Sequence, residues 1–198
     1  MVKSSACQTG DSTELRERRS ASNRSLLCLG HVRILRGMQN LSIVAPAFVE
    51  MAHRIVWAVA ATVDAAGQPR TRVLHPIWDF TDDQLTGWIC TSPQSPKAAD
   101  LGVMPALSLT YWIRTQDTCT ADCDVVWDDT PKLRQAGWER FLNGPAPVGY
   151  DPTVVPGWTD PQNPAFGVIR LTPHRLRVMA GTVMTAGQGE VLTWAAPA

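Results

Sequence analysis

The sequence predicts a mainly β (α+β) domain: an antiparallel β-barrel with a few peripheral helices, rather than a doubly wound α/β fold. Two observations carry this. Apolar, β-branched segments of strand length recur along the chain, most of them separated by turn sequences. Only three segments read as helices, and two of these open on Ser-Pro or Thr-Pro. A third observation sets the scale: 198 residues suit one domain with a sizeable core.

The elements follow in order. Residues 1–37 are rich in Ser and Arg and lack sustained periodicity, with seven Lys/Arg against three Asp/Glu. They read as a disordered basic leader, with Met38 a candidate start and 38–198 the folded domain. Residues 46–54 read as a short helix with Phe48, Met51 and Ala52 on one side. The apolar run 55–63 reads as a buried strand, and the turn Asp64-Ala-Ala-Gly67 returns the chain antiparallel into a second strand, 69–78. Asp82-Asp83 marks the next turn, before a strand at 85–91. A helix then runs from Ser95 to about Gly102, where Pro105 blocks continuation. Strands are expected at 106–114 and 118–127. Thr130-Pro131 opens a helix through Leu142, with Leu133, Trp138, Phe141 and Leu142 on its buried side. Residues 143–164 form a long Pro/Gly-rich loop, read as a cover over a pocket or a partner subunit. Two strands, 166–172 and 175–179, flank Thr-Pro-His, and a short strand closes the chain at 192–194.

Composition narrows the function classes. Eighteen Lys/Arg balance eighteen Asp/Glu, which gives no support to a nucleic-acid or membrane-surface role. Eight Trp is a high count; most are expected in the core, others at a ligand pocket or interface. The five Cys have no disulfide-framework spacing, and Cys119 and Cys123 on one strand lie too far apart to bridge. Reduced thiols, no transmembrane run and no signal-peptide core point to the cytoplasm.

The chemistry concentrates between Pro69 and Leu101. Arg70 and Arg72 share a strand face. Ser95-Pro96-Lys97 begins a helix, whose free N–H groups and partial positive charge favour an anion such as phosphate. Lys97 adds a full charge, and Thr91, Ser92 and Ser95 add hydroxyls. These residues are expected to form a phosphate-binding corner. The plainer alternative is a hairpin with solvated arginines followed by an ordinary capped helix. The four His have no metal-ligand spacing, and the acidic run Asp122, Asp124, Asp128, Asp129 lacks the pattern of a calcium loop. No dinucleotide, Walker or nucleophile motif occurs, so catalytic side chains remain unassigned and any chemistry falls most easily to a bound cofactor.

Gly67-x-Pro69-Arg70 entering a strand, then Thr91, Ser95-x-Lys97-Ala98 and Pro105-Ala-Leu-Ser-Leu resemble the pyridoxamine 5′-phosphate oxidase-like superfamily of FMN-binding split β-barrels. The closing Arg170-Leu-Thr-Pro-His-Arg-Leu-Arg-Val-Met resembles that superfamily's Pro-centred strand pair, and the resemblance covers about residues 45–182. It implies an antiparallel split β-barrel with FMN contacted by Arg70, Thr71, Arg72, Val73 and Leu74, by Thr91 and Ser92, by Ser95 and Lys97, and by Gln116. Pro96 stands where the superfamily has an arginine, a loss for which Arg72 is expected to compensate. The resemblance further implies a homodimer with flavin at the subunit interface and a cytoplasmic FMN-dependent oxidoreductase acting on a small molecule not yet defined. The alternative on the same barrel is a non-catalytic sensor or storage protein holding flavin, deazaflavin or haem. The oxidase's Arg-x-His substrate pattern is not evident, which argues against pyridoxamine phosphate as substrate.

Overall fold

The computed structural model describes residues 33–34, 39–127 and 129–197. Apart from Arg33–Ile34, the expected leader lies outside the described residues, as does Asp128. Those two residues form a short strand, β1, parallel to the chain's last strand. Helix α1 (Leu41–Ile55) starts five residues before Pro46, which sits inside it. Val44, Ala45, Phe48, Met51 and Ala52 make one continuous buried stripe, and that burial offsets the hydrogen bond the proline cannot donate. The helix ends at Val56, which adopts φ +74°, so β2 (Ala58–Val63) begins three residues later than its apolar run suggests.

The segment expected as one strand over 69–78 is two: β3 (Pro69–Leu74) and β4 (Ile77–Thr81). Pro76 has no N–H for a ladder, and the chain changes partners there. β2 and β3 pair antiparallel from Ala58↔Leu74 to Val63↔Pro69, as expected. β4 pairs with β5 (Gln84–Thr91) through a two-residue turn in which Asp82 and Asp83 both take positive φ, the twist that hairpins prefer. The hairpin at Asp82-Asp83 therefore joins β4 to β5, not β3 to β5.

Helix α2 (Pro96–Val103) leads to β6 (Ala106–Trp112) and β7 (Thr118–Trp127), whose alternating burial matches the pleat. Helix α3 is Pro131–Leu142, and the Thr130 hydroxyl accepts the Leu133 N–H at 3.4 Å. Its buried residues are Arg134, Gly137, Trp138 and Phe141; Leu142, expected inside, is exposed. Gly137 lets α3 approach the sheet closely, since a Cβ there would fall 2.6 Å from Val168 Cγ2.

Strand β8 (Gly167–Met179) runs straight through Thr-Pro-His, where two strands were expected. Pro173 is tolerated because the register with β7 slips there: Asp122 faces Arg175 and Cys123 faces Pro173, leaving His174 as the extra residue of a bulge. A six-residue helix, α4 (Gly181–Ala186), which the sequence did not announce, precedes β9 (Glu190–Ala195). The sheet order is β1-β9-β8-β7-β6-β2-β3, and the β4–β5 hairpin attaches to β8 through β5. Eight strands, β2 to β9, pair antiparallel. The first half of β8 carries the hairpin and its second half carries β9, while β7 runs along both. The main core lies inside this wrapped sheet under α1, around Phe48, Trp78, Leu109 and Tyr111; the Trp78 Nε1–H donates to the Tyr111 hydroxyl at 2.8 Å. A second core joins α3, β5 and the 143–164 loop through Trp88, Trp138, Phe141, Trp158 and Phe166. Among the described residues no helix is long and apolar enough to cross a membrane, and Cys90, Cys119 and Cys123 are unbridged.

Candidate functional site

A cleft of about 840 Å³ opens where the ends of β3 and β5, the start of α2 and the long loop meet. Val73, Leu74 and His75 line it from β3 and the residue beyond; Cys90, Thr91 and Ser92 line it from the end of β5; Ser95 and Lys97 line it from α2. The loop contributes Pro147, Tyr150, Val154, Val155, Pro156 and Trp158, and Val56 and Trp57 add the segment entering β2. The loop thus covers a pocket, one of the two roles its composition suggested.

The loop is held by its own polar groups. Asp151 accepts the Thr153 N–H, Asp160 the Gln162 N–H and Asn163 the Ala165 N–H, at 2.8–2.9 Å. Buried Arg134 of α3 fastens it from below, donating to the Pro161 carbonyl at 2.8 Å, to the Asn163 carbonyl and to Asp129.

At the start of α2, Ser95 takes the N-cap position but its side chain does not cap. Its hydroxyl instead donates to the Ser92 carbonyl at 2.7 Å and accepts from Lys97 Nζ at 2.9 Å. Pro96 has no N–H and the Ala98 N–H already donates to the Ser95 carbonyl at 2.9 Å, so of the first turn the Lys97 N–H is left to another acceptor, beside a cation. Burial, and secondarily the charge of Arg72, hold the Lys97 ammonium below its ordinary pKa. A counter-charge beside it would oppose both influences.

The arginines do not do what the sequence suggested. Arg70 turns away to Asp64 in the β2–β3 turn, with contacts of 2.9 Å from Nε and 2.8 Å from Nη2. Arg72 does lie near enough to influence Lys97, but its guanidinium is engaged. Nη1 donates to Thr62 Oγ1 at 2.6 Å and Nη2 to Asp100 at 3.2 Å, while Thr62 donates to the same carboxylate at 2.6 Å. Arg72 thus ties β3 to α2 rather than compensating for Pro96. Thr71 is exposed on β3. Gln116 sits in the β6–β7 turn with φ +68°, accepting from Trp112 Nε1 at 3.1 Å. Arg70, Thr71, Arg72 and Gln116 do not line the cleft; Val73, Leu74, Thr91, Ser92, Ser95 and Lys97 do.

His75 and its neighbours went unnoticed in the sequence. Its ring stacks on Tyr150 with centroids 5.3 Å apart and lies 4.9 Å from Trp57. Burial lowers its pKa, His53 adds to the effect, and its Nε2 is buried without a partner. Among the described residues no group of three or more His, Cys, Asp or Glu side chains converges as a metal site would need.

Solved structures share this architecture. A protein from Clostridium acetobutylicum related to general stress protein 26, of the pyridoxinephosphate oxidase family, superposes with TM-score 0.57 at 9% identity, covering 79% of this chain and 96% of its own. A pyridoxamine 5′-phosphate oxidase-related, FMN binding protein from Nostoc punctiforme gives 0.52 at 19% identity, with 79% and 96% covered. General Stress Protein 26 from Bacillus anthracis gives 0.50 at 14% identity, with 68% and 92% covered. The chain has the pyridoxamine 5′-phosphate oxidase-like fold. No protein-family model and no curated protein matches it by sequence. The cleft lies at the end of β3, the terminal strand of the sheet path among the described residues.

Proposed function

We propose that the chain is an FMN-dependent oxidoreductase acting on a small molecule, and that the cleft is its flavin site. One observation carries the reading: Lys97, Ser92 and Ser95 gather at a helix start that no side chain caps, and this corner opens into a large cleft with mostly apolar walls. That combination suits a ligand with a flat apolar body and an anionic end, which is the chemistry of FMN. Lys97, through its ammonium and its backbone N–H at the start of α2, would hold the phosphate, with the Thr91 and Ser92 hydroxyls beside it. Val73 and Leu74 would support the ring along β3, whose outer edge has no ladder partner among the described residues. Bound there, flavin would supply two-electron chemistry, and burial pushes the pKa of Cys90, the thiol of the lining, well up, away from a reactive thiolate.

The expected assembly is a homodimer. Trp57, Val59, Val73 and Trp112 are 58, 50, 60 and 55% exposed on the outward side of β2, β3 and β6. Trp57 and Val73 also line the cleft, so a second copy covering this patch would close the site. The unbridged cysteines accord with the cytoplasm.

The test is an absorption spectrum of the purified protein, with mass spectrometry of the released ligand, followed by titrations with FMN and with riboflavin. Lys97→Ala is expected to weaken FMN binding roughly 10- to 100-fold, the scale of a lost charge-assisted contact, and to leave riboflavin unchanged. Unchanged FMN affinity in that variant refutes the assignment. Turnover with a reduced nicotinamide separates the enzyme from a non-catalytic flavin, deazaflavin or haem carrier.

A further inference from the structure

We infer that the part of the cleft beneath the cover loop admits an uncharged, flat, apolar molecule and excludes carboxylates and phosphates. The inference deepens the reading above by naming a substrate class, and it rests on flavin phosphate occupying Lys97. Among the described residues, Lys97 is the only charged side chain lining the cleft. With that cation engaged, no counter-charge remains for a second anion. The loop wall is Val154, Val155 and Pro156, backed by Trp158. The Trp158 Nε1–H is already donated to the Ala165 carbonyl at 3.0 Å, so the wall offers no free donor. The polar groups that remain nearby, Tyr150 and His75, are both neutral at pH 7: burial raises the first and lowers the second. An anion placed here loses part of its hydration and gains no counter-charge. A neutral molecule of the same shape loses little and covers the aromatic and aliphatic wall.

The test compares two bicyclic probes of nearly equal size, 2-acetylnaphthalene and 2-naphthoate, by titration calorimetry on the full chain saturated with FMN. The ketone is expected to bind at least tenfold more tightly than the carboxylate. Val154→Lys places a cation on an exposed position of the wall and is expected to narrow that preference to within about threefold. The same pair is titrated into Lys97→Ala without flavin, where the preference for the ketone must persist. Equal or tighter binding of the carboxylate to the FMN-loaded protein overturns the inference, as does an unchanged preference in Val154→Lys or failure of the ketone to bind. If the ketone preference holds but FMN does not bind, the flavin reading falls and the assignment of the wall stands. If FMN binds and the preference is absent, the wall assignment alone falls.

Discussion

The Asp100 carboxylate is the joint between α2 and the β2–β3 edge, and its removal has a calculable cost. It accepts one hydrogen bond from Thr62 at 2.6 Å and one from Arg72 at 3.2 Å, and the two charged side chains are only 12 and 22% exposed. A fully buried pair broken on one side costs about 3–5 kcal/mol. Here water reaches the orphaned guanidinium, and Thr62 and the Arg70 carbonyl still hold Nη1. A gross loss of about 2–3 kcal/mol is appropriate for contacts involving charge. Alanine returns about 0.5 kcal/mol of helix propensity, so Asp100→Ala is expected to destabilise by about 2 kcal/mol net. For a chain of this size that is about 4–8 °C in Tm. Urea unfolding is the assay, with the midpoint falling and m unchanged. A double-mutant cycle with Arg72→Met isolates the pair, and a coupling of about 1–2 kcal/mol is expected. A net loss below about 0.5 kcal/mol, or strict additivity of the two substitutions, refutes the claim that this ion pair fixes α2.

Three further expectations follow from buried contacts. Trp78→Phe strands the Tyr111 hydroxyl inside the core and is expected to cost about 1–3 kcal/mol; adding Tyr111→Phe should recover part of it, and a simple sum of the two losses counts against a shared hydrogen bond. Gly137→Ala gains about 1 kcal/mol of helix propensity yet drives a methyl into Val168, so a net loss of about 1–2 kcal/mol is expected, relieved by Val168→Ala; a stabilised single variant contradicts the close packing. Burial holds His53 and His75 below their ordinary pKa of 6.5, so between that value and the lower folded-state values the unfolded chain binds more protons. Stability should therefore fall as pH drops from 7.5 to 5.5, with a shallower slope in His53→Gln and His75→Gln; urea midpoints equal at the two pH values would overturn this. Asp117, held low chiefly by the Gly181 N–H, adds its own loss only at more acidic pH, on approach to its lowered pKa from above.

Where local pattern decides structure, the sequence was readable. β6, β7 and α3 carry alternation or capping chemistry strong enough to mark both ends within a residue or two. Prolines misled in three ways. Pro46 reads as a first helical residue because that is where it costs least, whereas the buried face of α1 extends the helix back to Leu41. Pro76 sits within a run of strand-forming residues that it breaks, and Pro173 reads as a break in a strand that merely bulges. The site divides in the same way. Thr91, Ser92, Ser95 and Lys97 lie close in sequence, and their meeting needs only a strand end and a helix start. The fate of the arginines depended on competition with carboxylates: Asp64, six residues from Arg70, and Asp100, twenty-eight from Arg72. Trp57, His75 and Tyr150 arrive from three separate segments, and nothing local marks their convergence.

The cover over the cleft has a bearing on how such a protein diversifies. Its shape comes from short-range Asp and Asn turns and one arginine beneath it, while the strands on either side take none of their ladder bonds from it. Exchanges at exposed Val154 or Pro156 can thus accumulate without disturbing the barrel. The lining of the cleft is free to drift between descendants while the chassis that carries Lys97 and the start of α2 stays the same.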